Sequence, residues 1–322
     1  MTATCRKCGY KLSVESKTVA SVCPRCGRLM LAPKDANSQQ TQEELKANFE
    51  GMQTQQKKYK RKRRVIALVL TAVIVLGAGT AAFAVLLGRQ TRYAAAADAL
   101  EQGDPYAAYE QFDALGDYQD APEQRQKARE QFLKTVQRGD CIPFGSFEQD
   151  GNTKHGKEPL EWIVLSVKEP YVLLLSKNVL DVQPFSGTES AAWNDSTLRR
   201  WLNVDFFSDA FTQKQQEKIL LAKRADEKGV ETAERFLALS AKAVDEYFAA
   251  DDPHRLGICT AYAAAKSDGV SAGESIAWWL RTPGAEAGCT AVVNAQGETD
   301  DAGIPADSAA VGVRPAFWLR LS

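Results

Sequence analysis

Histidine is scarce in this sequence, with only His155 and His254 among 322 residues. This scarcity excludes any site that needs three histidine ligands, such as a three-histidine zinc or iron centre. No apolar run follows Met1, so we expect no cleavable secretory signal. An excess of either charge is also missing, because 40 Lys/Arg residues face 41 Asp/Glu residues. Apolar residues make up 44% of the chain, which excludes a wholly disordered protein.

The near-zero net charge conceals two opposed halves. Residues 1–88 contain 15 Lys/Arg and 5 Asp/Glu, a balance of +10. Residues 89–322 contain the remaining 25 Lys/Arg and 36 Asp/Glu, a balance of -11. Such a split predicts two different environments rather than one neutral domain. The length allows two or three domains.

Four of the seven cysteines form a metal-binding pattern near the N-terminus. Cys5, Cys8, Cys23 and Cys26 follow the spacing C-x2-C-x14-C-x2-C, and a glycine follows each C-x2-C pair. Two intervening residues let one tight turn offer both sulfurs to a tetrahedral Zn²⁺ at about 2.3 Å. Because residues 1–31 are too few to bury a core, metal binding would supply the folding energy. We predict a zinc ribbon at residues 1–31 with these four ligands and a structural Zn²⁺ cofactor.

Two disulfides, a redox pair and a rubredoxin-like iron centre are the alternatives for the same cysteines. Disulfides need an oxidising compartment, whereas the charge pattern described next places this end in the cytoplasm. A catalytic zinc needs an open coordination position, and four thiolates leave none. The segment resembles the small bacterial zinc ribbons at the N-termini of membrane-anchored proteins, in which the metal is structural.

An uncharged stretch at residues 65–87 predicts a transmembrane helix. Its 23 residues would span about 35 Å as a helix, enough for a hydrocarbon core of about 30 Å. The positive-inside rule then places residues 1–64 in the cytoplasm and residues 89–322 outside the cell membrane. The basic residues that flank the stretch are Lys57, Lys58, Lys60, Arg61, Lys62, Arg63 and Arg64.

The basic run has two possible partners. Such a run can bind nucleic acid, but next to a span the attraction of anionic headgroups explains it without further assumptions. We therefore expect the bilayer to be its partner and expect no nucleic-acid partner. Residues 32–64, which include the run, are predicted to form a flexible polar and basic linker.

Residues 88–138 have the spacing of three short helices. Gly103-Asp104-Pro105 and Leu115-Gly116-Asp117 separate the segments, and Asp104 is suited to cap the helix that Pro105 begins. The phrase ALEQGDPYAAYEQFDALGDYQDA resembles tetratricopeptide-related helical hairpins. A solenoid needs about three repeats, so we predict a short helical stalk packed on the next domain.

The main core is predicted at residues 139–322, because all six tryptophans lie between Trp162 and Trp318. Strand-like segments occur at 140–147, 160–167, 171–176, 277–281, 290–294 and 313–320. Helices are predicted at 196–203, after a capping box at Thr212 and after Ser240. The mixture predicts an α+β domain with a mainly antiparallel sheet.

The phrases EPLEWIVLS, WNDSTLRRWLN, WWLRTPG and GVRPAFWL resemble a bacterial extracytoplasmic domain of unknown function. The resemblance covers 139–322 and implies a C-type-lectin-like fold, distantly related to the formylglycine-generating enzymes. Exposed aromatic residues on such a scaffold can stack on sugars or peptides. Our candidate ligand-binding residues are Trp278, Trp279, Arg281 and Arg314, for which burial within strands is the alternative.

These observations predict a multidomain, single-pass membrane protein with an extracytoplasmic, non-catalytic ligand-binding or sensing domain. Its ligand would be a surface polymer or a protein. A formylglycine-generating-enzyme-like oxidoreductase is one alternative, although Cys259 and Cys289 are 30 positions apart rather than adjacent; they could instead form a disulfide. A tethered cytoplasmic regulator, with the zinc ribbon as its working part, is another. The "WND" of calcium lectins occurs at Trp193-Asn194-Asp195, where capping of the following helix explains the same residues.

Overall fold

The computed structural model describes residues 2–13, 20–31, 39–187, 191–225 and 231–321. These residues form two compact units, Met1–Gln90 and Thr91–Ser322.

Two short β-hairpins make up the N-terminal ribbon. β1 (Thr2–Thr4) pairs antiparallel with β2 (Lys11–Ser13), and β3 (Ala20–Val22) pairs antiparallel with β4 (Leu29–Leu31). Strands of three residues are too short for an isolated hairpin to be stable in water. The buried centre consists of Cys5, Cys23 and Met30.

A single long helix, α1, covers Gln39–Glu101. Residues 39–64, predicted as a flexible linker, are therefore helical, whereas 32–38 lie outside the described residues. The predicted span at 65–87 is the middle of this helix. Within the described part of the chain, no helix is long and apolar enough to cross a membrane.

The predicted transmembrane helix is therefore wrong, together with the fold class that contained it. The predicted location is also wrong, since it required one membrane span with a cytoplasmic N-terminus and an extracytoplasmic C-terminal domain. The prediction isolated one uncharged stretch from a helix whose other residues are mostly polar or charged. It also extends over residues 72–82, whose side chains lie outside the described part of the chain.

The remaining helices belong to the second unit. Asp104 caps α2 as predicted, accepting the backbone N–H of Ala107 at 2.9 Å, with Pro105 in the first turn. The predicted capping box of Thr212 and Gln215 is confirmed. The helices are α2 (Pro105–Leu115), α3 (Ala121–Thr135), α4 (Thr197–Trp201), α5 (Phe207–Ala210), α6 (Gln213–Lys218), α7 (Ala241–Tyr247) and α8 (Ala261–Ala264). Short 3₁₀ turns cover Trp193–Asp195 and Pro253–Arg255, and a π-helical segment covers Leu202–Phe206.

The strands of the second unit form two five-stranded sheets and two two-stranded sheets. They are β5 (Cys141–Phe147), β6 (Glu158–Lys168), β7 (Tyr171–Ser176), β8 (Asp181–Val182), β9 (Ala222–Ala225), β10 (Glu231–Glu234), β11 (Phe236–Leu237), β12 (Gly257–Ile258), β13 (Ser275–Ile276), β14 (Trp278–Pro283), β15 (Cys289–Val293), β16 (Thr299–Pro305), β17 (Gly312–Val313) and β18 (Ala316–Arg320). The first sheet has the order β11-β18-β7-β6-β5, and the second has the order β16-β15-β14-β17-β8. The two-stranded sheets pair β9 with β10 and β12 with β13.

The pairing is mainly antiparallel, as predicted; among the described strands only β14 and β17 pair in parallel. The protein thus combines helices and sheets, with a β-rich C-terminal domain. The C-type-lectin-like assignment is not confirmed.

Aromatic side chains fill the space between the first sheet and the helices beside it. Trp162 on β6 lies edge-on to Phe317 on β18, with ring centroids 4.7 Å apart. Phe236 on the edge strand β11 lies 5.0 Å from Phe317 and 5.4 Å from Phe211. The indole N–H of Trp162 donates to the Phe144 carbonyl at 2.6 Å, so its polar atom is satisfied despite full burial.

Ion pairs join the helical hairpin α2–α3 to α6. The Asp113 carboxylate receives Lys214 Nζ at 2.8 Å, Lys218 Nζ at 3.1 Å and Arg125 Nη1 at 2.8 Å. Burial acts to raise the pKa of Asp113, but these three cations outweigh it and lower the pKa to about 2. The segment predicted as a stalk is therefore packed within the same compact unit as the β-rich domain.

Candidate metal centre

The two cysteine pairs occupy equivalent turns in the two hairpins of the ribbon. In the first turn, the Gly9 N–H donates to the Cys5 carbonyl at 2.9 Å, and Gly27 repeats this bond with Cys23 at 2.8 Å. Gly9 has φ 71° and Gly27 has φ 69°, a region where a side chain would be strained. Each turn therefore requires the glycine that follows its cysteine pair.

The four sulfur atoms converge on one point. Cys5 Sγ lies 3.5 Å from Cys26 Sγ, and Cys8 Sγ lies 3.5 Å from Cys23 Sγ. All four sulfurs lie within 4.8 Å of one another. Tetrahedral coordination at about 2.3 Å requires sulfurs about 3.8 Å apart. The arrangement therefore fits one metal ion held by four thiolates, with Cys5 and Cys23 buried beneath it.

Backbone amides stabilise the thiolate forms of Cys5 and Cys8, but only Cys5 ends with a lowered pKa. Hydrogen bonds from the backbone of Lys7 and Cys8 lower the pKa of Cys5 to about 6. A backbone bond from Tyr10 acts to lower the pKa of Cys8, but desolvation and the neighbouring thiols outweigh it and raise this pKa to about 12. Clustered thiols resist ionising together, and a divalent cation between them removes that penalty.

The predicted ligand-binding tryptophans both lie in the core. Trp278 is 0% exposed and Trp279 is 1% exposed. Their indole N–H groups donate to the carbonyls of Arg255 at 2.8 Å and Gln183 at 2.9 Å. Trp279 packs on Phe185, with ring centroids 5.7 Å apart. Burial and satisfied N–H groups favour a structural role for both rings.

The two predicted arginines also donate hydrogen bonds to backbone carbonyls. Arg314 is 1% exposed, and its guanidinium donates five hydrogen bonds, all to carbonyl oxygens. It lies 4.8 Å from the centroid of the Trp278 ring. Arg281 Nη1 donates to the Ala238 carbonyl at 3.0 Å. These contacts favour a structural role for Arg314, which lies in the connection between β17 and β18. Arg281 is a half-buried residue of β14.

The cysteines outside the ribbon are free thiols. Cys259 and Cys289 are buried, and Cys141 is exposed. Burial, with a contribution from Glu274, raises the pKa of Cys259 to about 11. This thiol is therefore protonated near neutral pH.

A group of three carboxylates was not anticipated from the sequence. Glu148, Asp150 and Glu158 place oxygen atoms within 4.8 Å of one another. Glu158 accepts the backbone N–H of Gln149 at 2.7 Å, and Asp150 pairs with His155 at 2.6 Å. These bonds hold the β5–β6 loop, and we assign no metal to it. In the sequence, this group could have been recognised from Glu148 and Asp150, two positions apart before a turn, and from Glu158 at the start of the next strand.

Comparison with protein families identifies part of the β-rich unit. Residues 170–321 match the family described as a domain of unknown function, DUF6273. The chain contains a DUF6273 domain. The matched region begins at the start of β7, so β5 and β6 lie outside it although they complete the same five-stranded sheet. No curated protein and no solved structure matches the chain.

Proposed function

We propose that residues 1–31 bind one structural Zn²⁺ through Cys5, Cys8, Cys23 and Cys26. The observation that supports this proposal is the convergence of all four sulfurs within 4.8 Å. Each hairpin contributes two of the four sulfurs, so the ion would cross-link the two hairpins. Four thiolates complete a tetrahedral shell, which supports a structural role over a catalytic one.

The argument against disulfides from a cytoplasmic location no longer holds. The sulfur–sulfur distances supply a separate argument. The two shortest sulfur pairs are equal at 3.5 Å and link the first turn to the second. The thiols therefore surround a common centre instead of forming two bonded pairs, which lie near 2.05 Å. Zn²⁺ and an iron centre of rubredoxin type share this ligand set, so the metal has to be measured.

Elemental analysis of the purified full-length protein tests the proposal. We expect one zinc per chain, and we expect Cys8→Ser and Cys26→Ser each to lose most of it. Cys141→Ser removes an exposed thiol outside the ribbon and serves as the matched control, with zinc retained. Bound iron would contradict the proposal. So would disulfide-bonded ribbon cysteines, which a thiol reagent would fail to label under denaturing, non-reducing conditions.

For the DUF6273 domain, non-catalytic binding of a surface polymer or protein stays a prediction. The burial of Trp278 and Trp279 removes the two aromatic residues that were expected to contact the ligand.

A further inference from the structure

Two cationic segments of the first unit each contain an exposed tyrosine. Tyr10 lies among the basic residues of the first cysteine turn and is 38% exposed. Tyr59 lies within the basic run of α1 and is 65% exposed. Apart from these two tyrosines, Phe83 is the one exposed aromatic side chain among the described residues of this unit.

The ribbon presents its cations outward. Lys7 and Arg25 occupy the same position in the two turns, immediately before the second cysteine of each pair. Within residues 1–31 the only acidic residue is Glu15, so the field around the ribbon is positive. The exposed basic residues of its described part are Arg6, Lys7, Lys11, Arg25 and Arg28.

The basic run surrounds α1 on all sides. Seven cations occur among the eight residues at 57–64, and every one of them is exposed. At 3.6 residues per turn, such a density leaves no neutral face. Residues 51–88 contain no acidic residue that could neutralise the run along the helix.

The basic run was expected to contact anionic headgroups rather than nucleic acid, but the exposed tyrosines among the cations add a second kind of contact. We infer that the ribbon and the basic run bind single-stranded nucleic acid, with the cations contacting phosphates and with Tyr10 and Tyr59 stacking on bases. Cationic surfaces with embedded aromatic side chains are the common chemistry of single-strand binding. A single strand is favoured over a duplex because its bases are free to stack on a side chain.

Anionic lipid and an acidic polypeptide are the two other partners that could bind these cations. Anionic lipid would contact the cations together with the exposed aliphatic residues that follow them, from Val65 to Leu70. An acidic polypeptide would need the cations but not the tyrosines. The tyrosines therefore separate a single strand from an acidic polypeptide. A lipid interface also accepts tyrosine, so competition between vesicles and the oligonucleotide separates those two partners.

The test is fluorescence anisotropy of a labelled oligothymidylate of about 16 nucleotides, the upper site size of a single module, with the full-length, metal-loaded protein. We expect binding that weakens between about 50 and 200 mM salt. Tyr10→Leu and Tyr59→Leu should each weaken it roughly 5- to 150-fold, the range that stacking of one base supplies. Neutralising Lys57, Lys58 and Lys60 to Gln should lower the salt slope by about 0.7 for each phosphate that the variant no longer neutralises.

Matched controls are an exposed aromatic residue and an exposed cation outside the two segments. Phe83→Leu and Lys154→Gln should leave the affinity unchanged. The Tyr59 variant reports on the helix alone, so a failure of the metal site in the ribbon would not hide its effect. The inference is overturned if the wild-type protein does not bind the oligonucleotide. It is also overturned if both tyrosine variants bind it with the affinity of the wild type. It is also overturned if vesicles of phosphatidylcholine and phosphatidylglycerol, or polyglutamate, bind while the oligonucleotide fails to compete.

Discussion

Cys8 Sγ and Cys23 Sγ lie 3.5 Å apart although 15 positions separate them in the chain. The contact joins the turn of one hairpin to the turn of the other, and Cys5 and Cys26 repeat it at the same distance. Neither hairpin has a core of its own. The ribbon therefore owes its stability to whatever holds these sulfurs together.

The Asp113 ion-pair group should make stability depend on acid pH. Its folded pKa of about 2 lies below the ordinary value of 3.8. The stabilisation is therefore present above about pH 4 and is lost as pH falls towards 2. We expect it to amount to about 2 kcal/mol.

Urea unfolding of the wild type and of Asp113→Asn between pH 6 and pH 2.5 checks this expectation. The two proteins should differ most near pH 6 and converge in acid. A difference that is constant with pH would contradict the role given to the Asp113 charge.

Replacing Arg314 should strongly destabilise the β-rich unit. Its guanidinium donates to the carbonyls of Ser176, Lys177, His254 and Leu256. Burial lowers its pKa to about 9, so the cation persists at neutral pH. Arg314→Leu would leave these carbonyls without their donor, at a cost of about 3–4 kcal/mol.

Thermal and urea unfolding measure this cost, with the exposed Arg320→Ala as the control. Because an ammonium cannot supply the planar, five-donor fork, Arg314→Lys should rescue little of the loss. A change below about 1 kcal/mol in Arg314→Leu would show that the carbonyls find other partners.

The side chain of Asn203 substitutes for a neighbouring strand at the edge of the first sheet. Its amide oxygen accepts the backbone N–H groups of Arg235 at 2.7 Å and Phe236 at 3.0 Å, and its nitrogen donates to the Phe236 carbonyl at 2.9 Å. The π-helical segment Leu202–Phe206 contains this side chain. Asn203→Ala should cost about 2–3 kcal/mol in the free energy of unfolding.

The exposed neighbour Val204→Ala lies in the same segment and is the matched control. Hydrogen exchange of the Arg235 and Phe236 amides should accelerate in Asn203→Ala and not in the control. Unchanged protection would mean that these amides do not depend on Asn203.

Alanine substitutions at Gly303 and Gly273 distinguish the cost of a steric clash from the cost of backbone strain. Both glycines have positive φ, 86° and 85°. A Cβ at Gly303 would lie 2.6 Å from the Thr290 carbonyl oxygen, whereas a Cβ at Gly273 has nothing within 4 Å. Alanine at either position carries the left-handed strain, about 1–2 kcal/mol. Gly303→Ala should lose about 1–3 kcal/mol more, as measured by urea unfolding, and equal losses would refute the clash.

Local patterns were predicted well because their causes lie within a few residues. The cysteine turns, the Asp104 cap and the Thr212 capping box each depend on side chains no more than about four positions apart. Counting uncharged residues at 65–87 used an equally short window. The structure has one 63-residue helix there, and among the described residues no helix is apolar enough to cross a membrane.

Non-local partners were not predictable from the sequence. Arg314 binds Ser176, which is 138 positions away. Burial was the alternative for Trp278 and Trp279, but the sequence does not show that Phe185 packs on the ring of Trp279 and Arg314 on the ring of Trp278. Both facts depend on sheet order, which no local pattern determines.

Cobalt substitution tests the central claim most directly. Titrating Co²⁺ into the metal-free, reduced full-length protein should give one equivalent of an intensely absorbing tetrahedral complex with sulfur-to-cobalt charge-transfer bands. Zn²⁺ should then displace it stoichiometrically, and Cys8→Ser should weaken the bands. A weak octahedral spectrum, or an unchanged spectrum in Cys8→Ser, would contradict a four-thiolate site in the ribbon.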